Sequence, residues 1–204
     1  LTMIAVGICL TACSQKAVQK TFVYEGNPIV RDNYTADPAP MVASDGRLYV
    51  FCGHDECFED RPGYEGKYGF NITEWLCYST EDMKTWTDHG VVLKPTDFSW
   101  AVGEAWASQA IEGPDGKYYF YFPNASKQGG FAVGVAIADN PEGPYEIQPE
   151  PIKGINGIDP CVLKASDGNH YIFWGAGRCA KLADNMIELA EDNPTEVMKW
   201  GDRE

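Results

Sequence analysis

Two Asp-Pro pairs, Asp37-Pro38 and Asp159-Pro160, are the residues of this sequence best suited to chemistry. An aspartate ionised near neutral pH can accept a proton from water. A second carboxylate placed close to an acid raises that acid's pKa by like-charge repulsion. Paired carboxylates therefore suit general acid–base work, provided that the fold brings them together. The cysteines offer less. Cys52-x-His54-x-x-Cys57 has zinc-ligand residue types, but Cys52 lies in or just after the strand-like run Leu48 to Phe51. No second Cys/His pair follows at a finger-like spacing, so no metal site is expected. Seven cysteines less Cys9 and Cys13 leave Cys52, Cys57, Cys77, Cys161 and Cys179. That odd set allows two disulfides at most and does not read as a disulfide framework.

What would position the two aspartates is a repeat. After Asp37 come Asp45-Gly46, Tyr49 and Phe51, and after Asp159 come Asp167-Gly168, Tyr171 and Phe173, at identical offsets of 8, 9, 12 and 14. A copy between them runs from Ala107 to Asp115-Gly116, Tyr119 and Tyr121 with the same offsets. Each copy reads as an apolar strand, an Asp-Gly hairpin turn and a strand alternating aromatic residues. The copies begin 70 and 52 residues apart, which suits a unit of about four strands such as a propeller blade. Outer strands are expected over Trp75 to Tyr78, around Trp86 to Gly90, and over Ala132 to Ala138. In a propeller the innermost strands line a central channel, so equivalent positions at their starts converge. Asp37 and Asp159 then meet near one end of that channel, while the middle copy places Ala107 there. An aspartate needed only by the repeat would recur in every copy, so its absence from one favours a site role. Two convergent carboxylates are also what glycoside hydrolysis and its pKa tuning require.

Composition bounds the partners. The chain has 204 residues, 16 Lys+Arg against 30 Asp+Glu, and a formal net charge of −14. Nucleic acids and anionic membrane surfaces need a basic footprint, and this surface has none. With 44% hydrophobic residues there is enough for a core, and 6 Trp, 11 Tyr, 9 Phe, 21 Gly and 13 Pro favour short strands and turns. No apolar run reaches the ~18 residues of a transmembrane helix. Residues 1–13 read LTMIAVGICLTAC, the apolar region and cleavage zone of a secretory signal that lacks its charged start. Leu10-Thr11-Ala12-Cys13 is similar to a bacterial lipobox, so Cys13 is expected to carry lipid and residues 14–24 to act as a tether. The expected location is the bacterial cell envelope or cell surface, with membrane contact through the lipid alone.

Further stretches complete a family pattern. They are Asn27 to Val30 followed by Thr35-Ala36-Asp37-Pro38, Tyr78 to Met83 with Trp86, Asp88, His89 and Gly90, and Trp106-Ala107 with Gly116 to Tyr119. Gly134-Val135-Ala136 with Pro141 to Pro144, and Gly157-Ile158-Asp159-Pro160, follow in order. Taken together over residues 25–204, the sequence resembles glycoside hydrolase family 43. The resemblance implies an all-β, five-bladed β-propeller, of which about three blades lie in this chain. It implies β-xylosidase, α-L-arabinofuranosidase or arabinanase activity with inversion, and plant-derived arabinose- or xylose-containing glycans as partners. By the same resemblance Asp37 matches the general base and Asp159 the pKa modulator. No cofactor is required, and a structural calcium is an implication of the resemblance alone.

The family's general acid is a Glu of the fourth blade, and the chain ends at Glu204 ahead of any fourth copy. An N-terminal piece, truncated at both ends, is therefore expected, with the acid beyond it. Glu112-Gly113-Pro114 is similar to the acid motif but immediately precedes the Asp115-Gly116 turn, and is read as a decoy. His54 and Asp55 at the end of the first copy's strands, Trp106 ahead of the second and Arg178 after the third are expected to border the sugar pocket. Two other readings compete: a non-catalytic carbohydrate-binding propeller lipoprotein, and a fructan-acting hydrolase of related five-bladed architecture.

Overall fold

Among the described residues, runs of β-branched and aromatic residues separated by turns form thirteen strands. A computed structural model describes residues 19–56, 70–175, 177–191 and 195–196. The first sheet contains β1 (Lys20–Val23), β2 (Tyr34–Val42), β3 (Leu48–Asp55), β4 (Ile72–Thr80) and β5 (Thr85–Leu93), in the order β1-β5-β4-β3-β2. The second contains β6 (Gln109–Glu112), β7 (Tyr118–Ala125), β8 (Phe131–Ala138) and β9 (Glu146–Ile147) in sequence order. The third contains β10 (Cys161–Lys164), β11 (His170–Trp174), β12 (Arg178–Lys181) and β13 (Thr195–Glu196), again in sequence order. These antiparallel meanders are three blades of a five-bladed β-propeller, with β2, β6 and β10 as their inner strands. Among the described residues no helix is long and apolar enough to cross a membrane.

The repeat has one physical basis in all three blades. The strand pairs close on Val42↔Leu48, Glu112↔Tyr118 and Lys164↔His170. In each turn the aspartate Oδ1 accepts the N–H two residues on: Arg47 to Asp45 at 2.9 Å, Lys117 to Asp115 at 3.1 Å, Asn169 to Asp167 at 2.9 Å. The following glycine needs a left-handed backbone, with φ of 83° at Gly46, 76° at Gly116 and 85° at Gly168. A five-residue template thus recurs because one turn geometry recurs.

Aromatic packing fills the space between blades. Phe51 and Trp75 of the first meet Phe120 of the second, each with ring centroids 5.6 Å apart. Between the second and third, Tyr121, Val133, Ile172 and Trp174 are buried, and the Tyr121 hydroxyl donates to the Met186 carbonyl at 2.7 Å. Edge-to-face pairs of this kind add ~0.5–1.5 kcal/mol beyond their area. The expected tether over 14–24 needs correction: residues 20–23 form β1, which pairs with β5 from Lys20↔Asp88 to Val23↔Thr85. Phe22 packs edge-on against Tyr78, at 6.2 Å, which holds this segment on the blade. The expected signal segment, with Cys13, and Cys57 lie outside the described residues. Cys52 and Cys77 are buried free thiols, Cys161 is exposed and Cys179 half-buried.

Candidate active site

Asp37 sits at a bulge within the inner strand β2 and Asp159 two residues ahead of the inner strand β10, and both adopt a backbone that side chains rarely take. Their φ angles are 50° and 56°, in the left-handed region. For Asp37 the cause is visible in the ladder. Ala36 pairs with Gly53 and Ala39 with Phe51, so Asp37 and Pro38 together oppose the single residue Cys52. Such a bulge re-aims a side chain out of the sheet. Pro38 suits it, because a proline has no N–H to contribute to the ladder.

Both carboxylates line one cavity of about 510 Å³, together with Asp55, Trp106, Ala107, Phe131 and Ile158. Ala36, Phe70 and Ile72 complete its wall. That volume falls in the range of small-molecule sites, and its lining of apolar surface around a few polar groups is typical of them. Burial, and then the negative charge of Asp37, push the Asp159 carboxyl above the ordinary aspartate range. Asp159 therefore senses the charge of Asp37 across the cavity. Trp106 is half-buried, its ring 5.7 Å from that of Phe131.

The remaining expected residues divide. Asp55 lines the cavity with Trp106, whereas His54, its neighbour on β3, is absent from the wall. His54 Nδ1 lies 3.0 Å from Glu74 Oε1 and 3.8 Å from Glu56 Oε1, and Lys94 Nζ is 2.9 Å from Glu74 Oε2. Burial raises the Glu74 pKa, but the bonds from Lys94 and His54 outweigh it and leave the pKa below the ordinary value. Arg178 opens β12, is exposed and does not line the cavity. Glu112 closes β6 at the far end from Ala107, where its Oε2 accepts the Ser44 N–H at 2.8 Å. It also lies outside the cavity wall. Phe70, Ile72, Phe131 and Ile158 were not expected in the wall. Ile158 adjoins Asp159, and Phe131 follows the Gly129-Gly130 turn, which is the signal that could have found each.

His54, Glu56 and Glu74 bring one nitrogen and two carboxylate oxygens within 4.8 Å of one another. Calcium takes six to eight oxygen ligands. An imidazole, with an ammonium already on one carboxylate, does not fit that ion. Cys52, the first residue of the Cys52-x-His54-x-x-Cys57 spacing, has its thiol pushed up to about 12 by burial, which disfavours the thiolate a metal needs.

The model of glycosyl hydrolases family 43 matches residues 25–202. The chain belongs to this family. A xylosidase/arabinosidase 43A of Humicola insolens is 37% identical over 177 residues, covering 83% of this chain and 53% of the relative. A xylosidase/arabinosidase of Bacteroides ovatus is 39% identical over 195 residues, covering 80% and 59%. The chain thus spans little more than half the length of these two relatives. Among solved structures of the family, CoXyl43, a β-xylosidase/α-arabinofuranosidase from a compost microbial metagenome solved with xylotriose in a calcium-free form, superposes with a TM-score of 0.76. It is 32% identical, and the match covers 87% of this chain and 63% of that one.

Proposed function

We propose that the protein to which this chain belongs hydrolyses O-glycosidic bonds of plant polysaccharides or oligosaccharides, releasing arabinofuranosyl or xylosyl units with inversion. The observation that carries this reading is the shared cavity of Asp37 and Asp159, presented from the first and third blades with the same left-handed backbone. Asp37 would act as general base. It takes a proton from the water that attacks the anomeric carbon, while a separate acid protonates the leaving oxygen. Asp159 would act as pKa modulator, its charge holding that acid protonated until it donates. Asp55 and Trp106 line the same cavity and would bind sugar, Trp106 presenting a ring face and Asp55 accepting hydroxyls.

The test is turnover of aryl pentosides by the full-length protein. Wild type should hydrolyse a xyloside or an arabinofuranoside, and Asp37→Asn should lose about 10²–10⁴-fold while still binding sugar. A full-length wild type that binds these sugars without turnover would overturn the reading in favour of a carbohydrate-binding propeller.

We also propose export and lipid anchoring through Cys13. The support is the apolar run that ends in Leu10-Thr11-Ala12-Cys13. A fatty-acid analogue fed to the producing cells should label wild type and not Cys13→Ala. Label that survives the substitution rejects the anchor.

A further inference from the structure

We propose that the middle blade is the spacer that sets the separation of Asp37 and Asp159, and that Gln109 is the positioning residue that fixes it. The proposal rests on the reading of these two aspartates as a catalytic pair. They stand on the first and third blades, and the second blade, which carries Ala107 at their equivalent position, lies between.

Two seams decide how far apart the outer blades stand. At the first, the segment leading into blade two occupies both main-chain groups of Ile72. Glu104 Oε2 accepts the Ile72 N–H at 3.0 Å, and the Ala105 N–H donates to the Ile72 carbonyl at 2.9 Å. Ile72 starts β4, pairs with Asp55 and lines the cavity. Gly53 closes the same seam, because a Cβ there would meet Ile72 Cγ2 at 2.5 Å and the Ala105 carbonyl at 2.7 Å.

At the second seam the arrangement recurs with one side chain. Gln109 Oε1 accepts the Val162 N–H, and Gln109 Nε2 donates to the Val162 carbonyl at 3.3 Å. One carboxamide thus serves both main-chain groups of a residue on β10, as a neighbouring strand would. Gln109 stands two residues beyond Ala107, and Val162 three beyond Asp159. The apolar contacts between these blades are non-directional and do not set where β10 stands along β6. The paired hydrogen bonds do, since Val162 is buried and leaving both its main-chain groups unmatched is unfavourable.

Asp159 shares its cavity with Asp37 of β2 and Asp55 of β3, so its titration reports the spacing without reference to turnover. The experiment uses the full-length protein as wild type, Gln109→Met and Gln109→Glu. Met keeps the length and removes both bonds, whereas Glu keeps the acceptor and turns the donor into a repulsive oxygen. Carbon-13 NMR follows the Asp159 carboxyl, assigned through Asp159→Asn. In Gln109→Met, Asp159 should titrate at lower pH as the widened cavity lessens its burial and draws it away from the charge of Asp37. Its kcat on an unactivated pentoside should fall about 100-fold with KM little changed, the sensitivity expected of a misplacement near 1 Å. Gln109→Glu should lower kcat likewise, while its new carboxylate raises the Asp159 pKa by like-charge repulsion. The spacing is therefore read by titration in Gln109→Met alone. Folded variants with wild-type titration and kcat overturn the proposal. Loss of folding in both also overturns it, by assigning Gln109 to stability alone. An inactive wild type in which Gln109→Met still moves Asp159 would refute the hydrolase reading and leave the spacer standing.

Discussion

Asp37 and Asp159 hold a backbone conformation that alanine resists and asparagine tolerates, so the choice of substitution decides what is measured. Asp37→Asn should fold as wild type does and lose turnover, because an amide cannot take a proton from water. Asp37→Ala should add about 1–3 kcal/mol of strain to the same loss. Asp159→Asn should differ in two ways. Without its charge the acid loses its proton earlier, so the alkaline limb of the rate profile moves to lower pH, and substrates with good leaving groups are partly rescued. Those substrates should not rescue Asp37→Asn. The stability sign is also distinctive. A carboxyl whose folded pKa is raised favours the folded state at low pH, and that contribution is lost as pH rises through the raised value. Asp159→Asn should therefore melt no lower than wild type at neutral pH. Paired melting curves and turnover with activated and unactivated pentosides check each expectation.

Elements carry these residues, and much of their arrangement was legible. Equal offsets from Asp37, Ala107 and Asp159 to three Asp-Gly turns located the inner hairpins, because one hydrogen-bonded turn is used three times. What escaped was long-range. Residues 20–23 look like a tether until β5 pairs with them. His54 and Asp55 look alike at a strand end, yet the register shifts between them and only Asp55 reaches the cavity, while His54 pairs with Glu74. The left-handed φ of Asp37 follows from a bulge that no residue type announces. The seam between the first two blades gives a prediction at this scale. In Gly53→Ala the added methyl meets the Ala105 carbonyl, a backbone atom that cannot rotate away. Such overpacking should reduce stability by about 1–3 kcal/mol, read as a lower urea midpoint at unchanged slope.

For the whole molecule, charge and burial set a pH window. Burial holds the imidazoles of His89 and His170 below their ordinary value of 6.5. An unfolded chain takes up protons first, so stability present above that value should fall as pH drops through it toward the lowered folded values. Melting temperature should accordingly decline between neutral pH and about pH 5, and a rise over that interval would contradict the burial of these rings. The propeller brings carboxylates from separate blades to one cavity, and the proposed base, Asp37, would act on water rather than on the sugar carbon. Proton NMR of the first product formed by the full-length protein from an aryl xyloside or arabinofuranoside tests that assignment most directly. The anomeric signal should appear first with configuration opposite to that of the substrate. A product released with retained configuration would call for a nucleophile in place of the proposed base.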